Sequence, residues 1–322
     1  MTRLLVTGAA GFIGSHLIEA LASRGDEVVG VDNFDPFYPR AMKERNLAEI
    51  GPRPEFSFWE HDMSDVAAMR ERLTPDTVVV HLAAKAGVRP SLADPVGYTT
   101  VNVGGTAAVL EAARQAGVRR IVFGSSSSVY GDTTPVPFRE DAVAMEPVSP
   151  YAATKRAAEL LLSSVAPIYG FRAASLRFFT VYGPRQRPDL AIHAFTRKMV
   201  EGNTLTLFGD GTQARDYTYC DDIVAGVLGA IDWTAKAPIG VETFNLGGNR
   251  SVATEAMVAE IATALGITPK VEWAPMQPGD VQRTAADLTK SKAVLGYAPK
   301  TPFPEGIRRF VRWYRGAYGR AD

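Results

Sequence analysis

The sequence is poor in the residues from which several kinds of protein are built. It holds a single cysteine, Cys220, so no disulfide can close within the chain, which suits a reducing cytoplasm. Between Tyr219 and Asp221 that cysteine reads as a structural thiol rather than a nucleophile. The four histidines, His16, His61, His81 and His193, stand apart without ligand spacing, and no metal is expected. Neither sign of charge is in excess: 35 Lys and Arg balance 35 Asp and Glu. Without a general positive field, a nucleic-acid partner is not expected. No charged segment leads into an apolar one before strand-like residues begin at Leu4, and no apolar run approaches membrane-spanning length. A cytoplasmic protein with no membrane partner is expected. Internal repeats and low-complexity segments are also missing.

What remains is ordinary for a globular chain: 46% hydrophobic and 22% charged over 322 residues, enough for about two domains sharing a core. Apolar runs end at Val6, Val31, Trp59, Val80 and Phe123. Helical periodicity lies between them, as in Ile13, Leu17 and Leu21, closed by Gly25. Residues 107–115 continue the series, a helix is predicted over about 150–166, and a strand over 173–178. Strands alternating with helices imply an α/β fold with a doubly wound parallel sheet, covered on both faces. After Thr180 proline and glycine become frequent, and shorter helices are predicted near 192–200, 222–231, 254–265 and 304–314. This second part reads as a smaller, mixed α/β domain interleaved with the first. The predicted division gives residues 1–178, with about 217–246, to the first domain, and 179–216 and 247–322 to the second.

The first strand runs into Thr7-Gly8-Ala9-Ala10-Gly11-Phe12-Ile13-Gly14 and directly into a helix. Glycines at Gly8, Gly11 and Gly14 let backbone approach a pyrophosphate, and the helix N-terminus offers amides and partial positive charge. A glycine triplet alone is weak. Here it sits in the strand–loop–helix context, with Asp32 ending the next strand. That carboxylate can accept from both adenosine ribose hydroxyls; Asn33 follows it, and no arginine stands there for a 2′-phosphate. NAD is therefore expected over NADP. Asp62 stands where it could touch the adenine amino group, although a helix start beside Ser64 and Asp65 explains it equally.

The Gly8, Gly11, Gly14 spacing resembles the extended short-chain dehydrogenase/reductases, a Rossmann family, and the likeness spreads through most of the chain. His81-Leu82-Ala83-Ala84, with Lys85 after it, resembles the strand that lines the cofactor there, and Asn102 matches a helix asparagine. Phe178, closing the 173–178 strand, belongs to the same implied cofactor set. Gly124-Ser125-Ser126-Ser127-Ser128-Val129-Tyr130-Gly131 resembles the active-site serine strand, with Ser126 in the catalytic position. Tyr151-Ala152-Ala153-Thr154-Lys155 is similar to the Tyr-x-x-x-Lys signature. On a helix, positions four apart share a face, so Tyr151 and Lys155 can reach one site. A nearby ammonium favours the phenolate and is expected to lower the tyrosine's pKa. Lys155 can also hold the nicotinamide ribose. Isolated, such a pair describes surface neighbours; beside the glycine loop and the serine strand it describes catalysis.

Further along, Thr180-Val181-Tyr182-Gly183-Pro184-Arg185-Gln186-Arg187-Pro188-Asp189 resembles the substrate half of the sugar-nucleotide epimerases. So do Ala214-Arg215-Asp216-Tyr217 and Gly279-Asp280-Val281-Gln282-Arg283-Thr284. Arg215 and Arg283 are the implied diphosphate ligands, which agrees with the bidentate match of guanidinium to phosphate. Within that family the likeness is to the enzymes acting on UDP-glucuronate, carried by Lys85 to Arg89, the serines and Thr180. Dehydratases of the family carry Asp-Glu after the position of Ser126, and related decarboxylases carry Glu; Ser127 and Ser128 stand there instead. With Thr180 they form a hydroxyl cluster able to hold a uronate, and Arg89 or Arg187 is expected to face its charge. The resemblance implies C4 epimerisation of UDP-glucuronate to UDP-galacturonate through a 4-keto intermediate, with tightly bound NAD, in a homodimer. Its alternatives are a UDP-glucose/galactose 4-epimerase, a UDP-glucuronate decarboxylase and, outside enzymes, a non-catalytic NAD sensor. Sensors usually lack the tyrosine or the lysine, and both are present.

Overall fold

A computed structural model describes residues 1–142, 146–248, 250–275 and 282–319; Gly279, Asp280 and Val281 of the last motif lie outside them. The first half runs β1 (Arg3–Thr7), α1 (Phe12–Ser23), β2 (Glu27–Asp32), α2 (Arg40–Ile50), β3 (Phe56–Glu60), α3 (Val66–Glu71) and β4 (Val78–His81). It continues through α4 (Val88–Ala93), α5 (Pro95–Thr99), α6 (Gly105–Gln115), β5 (Arg120–Ser126), α7 (Pro150–Tyr169) and β6 (Arg172–Phe178). The second half adds β7 (Thr180–Tyr182), α8 (Ala191–Val200), β8 (Leu205–Phe208), β9 (Ala214–Tyr219), α9 (Cys220–Thr234) and β10 (Gly240–Leu246). It closes with β11 (Ser251–Ala253), α10 (Thr254–Leu265), β12 (Val271–Ala274), α11 (Thr289–Leu295) and α12 (Phe303–Tyr318).

Seven strands form one sheet in the order β10-β6-β5-β4-β1-β2-β3, and every pairing in it is parallel. Its continuous apolar strands follow from burial on both faces. Leu4 and Val6 of β1 join one hydrophobic cluster with Val28, Val78 and Val80, while Leu5 joins another with Val29 and Val79. That is the two-residue period of a strand sorting its side chains. After β3 the chain crosses back past β1 to lay down β4. The connections at the carboxyl ends of β1 and β4 therefore diverge and open the crevice where ligands of such sheets bind.

The second half is split. β10 returns to the large sheet beside β6, and α9 packs on α1. The rest forms a three-stranded sheet, β11-β9-β7, and a two-stranded one, β12-β8. One cluster runs from Leu4 and Val6 through Ile223 and Val227 of α9 to Ile192, Leu205, Ile307 and Phe310. The two lobes therefore share a core. Helix α7 runs beyond the predicted 166 to Tyr169, where Gly170 (φ 71°) supplies a left-handed cap. Among the described residues no helix is long and apolar enough to cross a membrane.

Candidate active site

A cavity of about 500 Å³ opens over the carboxyl ends of β1, β4, β5 and β6. Its floor is the glycine loop. At Gly8 (φ 74°) an added Cβ would lie 2.8 Å from the Ala83 nitrogen, and at Gly14 one would lie 2.1 Å from the Gly8 carbonyl oxygen. No side chain fits there. α1 starts without a side-chain cap, which leaves its first amides to a ligand. Gly8, Gly11, Phe12, Ile13 and Gly14 all line the cavity. Such a cradle beside a buried carboxylate fits a dinucleotide pyrophosphate and its ribose.

Asp32 lies at the end of β2 and is buried. It accepts from the Ala10 and Phe34 amides at 3.2 and 2.9 Å and from Lys43 Nζ at 3.2 Å. Asn33 also faces the cavity, its Nδ2 donating to Asp62 Oδ2 at 2.8 Å. Asp62 itself does not line the cavity. It accepts from the Ser64 amide and fixes Asn33, while Asp65 caps α3.

At the centre of the sheet His81 is clamped on both nitrogens, to Thr7 Oγ1 at 2.7 Å and Thr106 Oγ1 at 3.0 Å. Burial and the nearby Lys155 charge push its pKa down to about 3, so the ring is a neutral brace. Leu82, Ala83, Ala84 and Lys85 continue from it along the cavity wall. Asn102, expected at the cofactor, stands behind that wall. Its Oδ1 accepts from the Lys85 amide at 2.8 Å and its Nδ2 donates to the Lys85 carbonyl and to Thr154 Oγ1. With both Nδ2 donors and one Oδ1 acceptor site spent on these partners, this buried amide shapes the wall.

The reactive side comes from β5 and α7. Ser149 caps α7 by accepting from the Ala152 amide, and Pro150 occupies the first turn. This aims Tyr151 and Lys155 into the cavity together. Ser126 hydrogen-bonds the Tyr151 phenol, and accepts from Ser128 Oγ at 2.9 Å and from the Ser128 amide at 3.2 Å. The sequence suggested a lowered pKa for this tyrosine, and the structure gives a raised one. Burial raises it, against the opposing pull of Ser126 and of the Arg187 charge. The Lys155 ammonium donates to the Gly124 carbonyl at 2.7 Å. Burial brings the lysine itself down to about 8, with Glu159 resisting. The edge of Tyr98 packs on Tyr151, centroids 6.3 Å apart.

Ser127, Ser128, Thr180, Phe178, Arg187 and Arg215 line the same cavity. Arg187 is held by Asp189 through two bonds of 3.0 and 2.7 Å. Three other expected substrate ligands are not among the cavity-lining residues. Arg89 lies over the Phe208 ring at 5.3 Å. Exposed Arg283 reaches Ser251 Oγ at 3.3 Å. Asp216 is fully buried and accepts from the Gly248 and Ala286 amides, tying the 248 and 286 turns together.

Sequence reasoning missed Lys43, Phe37 and Tyr38, which line the cavity from α2 and the turn before it. They carry no motif. It also missed Glu159, buried behind Lys155 and paired to Arg177 at 2.9 Å; its position one helical turn after Lys155 was the available signal.

The family model described as NAD dependent epimerase/dehydratase matches residues 4–247. A UDP-glucuronate 4-epimerase of Thermodesulfobacterium geofontis is 40% identical, with 97% of this chain and 96% of that one aligned. UDP-glucuronate 4-epimerase 3 of Arabidopsis thaliana is 41% identical over 98% of this chain and 77% of its own length. The crystal structure of a UDP-glucuronic acid 4-epimerase from Bacillus cereus, in complex with UDP-glucuronic acid and NAD, superposes with a TM-score of 0.91. The two chains are 35% identical, and 98% of this chain and 100% of that one are covered.

Proposed function

The chain belongs to the NAD dependent epimerase/dehydratase family, and on that premise we propose that it interconverts UDP-glucuronate and UDP-galacturonate by inverting C4. The observation that carries this reading is the trio Ser126, Ser127 and Ser128 in the same cavity as Tyr151 and Thr180. NAD, held by the glycine cradle, Asp32 and Lys155, supplies the hydride acceptor for C4 and the hydride donor for the return.

The protein's own residues handle the proton and the position. Tyr151 as phenolate takes the C4 hydroxyl proton, directly or through Ser126, leaving a 4-keto sugar. Its raised pKa makes it a strong base once ionised. The cationic form of Lys155, which lines the same cavity, favours that ionised state and would donate to the cofactor's ribose. The diphosphate rests on Arg215, about which the sugar turns to present its opposite face. Tyr151 then returns the proton as the hydride comes back, and C4 is inverted with no net redox change.

A uronate with a ketone at C4 is a β-keto acid, prone to lose carbon dioxide when its carboxylate stands perpendicular to the carbonyl plane. Ser127, Ser128 and Thr180 hold the carboxylate out of that orientation, and Arg187 balances its charge. The protein is cytoplasmic on this reading. It works as a homodimer that covers Leu92, Val96, Leu160 and Ile168, exposed at 56, 76, 54 and 77% on α4, α5 and α7; sedimentation as a monomer overturns the dimer.

Incubation with UDP-glucuronate and, separately, UDP-glucose, with products resolved by chromatography, tests the function. UDP-galacturonate is expected from the first. Turnover of UDP-glucose alone, or UDP-pentose as the main product, overturns the substrate assignment. Tyr151→Phe is expected to lose C4 inversion by about 10²–10⁴-fold while keeping its dinucleotide; retained turnover overturns the role of the phenol.

A further inference from the structure

We propose that Lys43 is a second ligand of the cofactor's adenosine ribose, and that with Asp32 it sets the choice between NAD and NADP. This rests on the cofactor assignment above and extends it to a residue that no motif marks.

Lys43 lies on α2, yet its ammonium is buried, 8% exposed, against an Asp32 carboxylate that is 6% exposed. Both line the dinucleotide cavity. The position is fixed from the next turn of the helix, where buried Asn46 donates to the Ala10 carbonyl of the glycine loop at 3.0 Å. α2 is thus bolted to the phosphate cradle.

Counting lone pairs shows why this matters. A carboxylate accepts about four hydrogen bonds, two per oxygen. Asp32 Oδ1 already takes the Phe34 amide and Lys43, and Oδ2 takes the Ala10 amide. One acceptor site remains, whereas a ribose presents two hydroxyls. The ammonium has three donors and spends one on Asp32. Its remaining donors can serve the second hydroxyl oxygen. The diol is then held by an acceptor on Asp32 and a donor on Lys43, and the pair, neutral as a unit, matches a neutral diol.

A 2′-phosphate meets the same pair differently. Asp32 repels it, while Lys43 offers a compact cation of the kind that binds phosphate. The Asp32 charge therefore excludes NADP, and Lys43 is the phosphate-binding cation that its removal would release.

The test measures dissociation constants of NAD and NADP by calorimetry on protein stripped of cofactor, with melting temperature recorded for each variant. Lys43→Met is expected to weaken NAD at least about tenfold, the weight of one charge-assisted hydrogen bond. Asp32→Asn is expected to strengthen NADP by a similar factor, and Asp32→Asn combined with Lys43→Met to lose that gain. NAD affinity unchanged in Lys43→Met, or an NADP gain that survives in the double variant, overturns the proposal. The double variant leaves no buried unpaired charge and decides the matter if Lys43→Met alone fails to fold. A wild-type protein that binds neither dinucleotide fails the cofactor reading itself, a distinct result.

Discussion

Behind the reactive tyrosine and lysine lies a buried ion pair whose removal should be felt in both stability and chemistry. Glu159 and Arg177 have side chains 4% and 2% exposed and share two bonds of 2.9 Å. Ser125, which precedes Ser126 in β5, donates to the same carboxylate at 2.7 Å. Replacing Glu159 by Leu leaves the guanidinium buried without its counter-charge, at a cost of about 3–5 kcal/mol. With an unfolding entropy of about 2.1 cal/mol/K per residue, a chain of 322 residues loses about 4–7 °C in melting temperature. Adding Arg177→Met should recover most of that loss, because a well-packed apolar pair replaces an ion pair nearly neutrally; the stranded Ser125 hydroxyl retains about 1 kcal/mol of it. The chemical consequence comes from Glu159→Gln. Burial brings Lys155 to about 8 and the Glu159 charge resists this, so without that charge the ammonium is lost at lower pH. If cationic Lys155 is required, the alkaline limb of the kcat profile moves down from about 8. Calorimetric melting and a pH–rate series are sufficient measurements. A Glu159→Leu protein that melts with the wild type, or a double variant no more stable than the single, refutes the reasoning on stability. An unmoved alkaline limb in Glu159→Gln refutes it on chemistry.

Other outcomes follow from single residues. Thr180→Val and Ser128→Ala should raise the share of UDP-pentose among products, read by chromatography; slower turnover with no added pentose shows that these hydroxyls do not restrain the carboxylate. Gly14→Ala places a Cβ 2.1 Å from the Gly8 oxygen and should yield protein with no bound dinucleotide or none soluble; a soluble variant that retains NAD removes the close-approach argument. His193 is buried beside Phe310, Trp313, Tyr314 and Tyr318 with Nδ1 unpartnered, and burial pushes its pKa from 6.5 to about 4. The folded value lies below the unfolded one, so its contribution is full above pH 6.5 and is lost as pH falls toward 4, about 3 kcal/mol in all. His193→Phe should flatten denaturant-measured stability across that window, and an unchanged slope shows that His193 is not the group responsible.

Much of the architecture was legible because local rules and tertiary fate agree in a parallel sheet. The strands ending at Val6, Val31 and Val80 are apolar on both faces, and Gly25 stops α1 as its left-handed tendency allows. The glycine loop, Asp32, the serine strand and Tyr151/Lys155 were legible because their chemistry demands fixed residue types at fixed spacing. Asn102 and Asp216 illustrate the limit. A motif position says that a polar residue is needed, yet not on which side of the wall its hydrogen bonds are made: Asn102 bonds the Lys85 backbone and the Thr154 hydroxyl, Asp216 the Gly248 and Ala286 amides. Lys43 was illegible for the opposite reason. Only folding brings α2 against the Asp32 carboxylate eleven residues earlier, and nothing in its flanking residues distinguishes it from a solvated lysine.

The same geometry explains why replacing acids by serines changes a reaction rather than merely weakening it. Once C4 is oxidised, a 4-keto sugar has several exits, and which one opens depends on the groups within reach. Elimination needs an acid and a base beside C5 and C6. In the serine strand Ser126 is occupied by Tyr151 and Ser128, and a serine hydroxyl of ordinary acidity cannot carry away a carbon-bound proton. Decarboxylation needs no base, only the right torsion, so suppressing it is a matter of restraint, which hydroxyls can provide without offering a proton acceptor. Tyr151 remains as the group poised to exchange a proton with O4, and it serves both faces of the sugar. With the other exits unsupported, return of the hydride is the path left, and the stereochemical outcome then depends on how freely the sugar turns about its diphosphate, for which Arg215 is the proposed anchor.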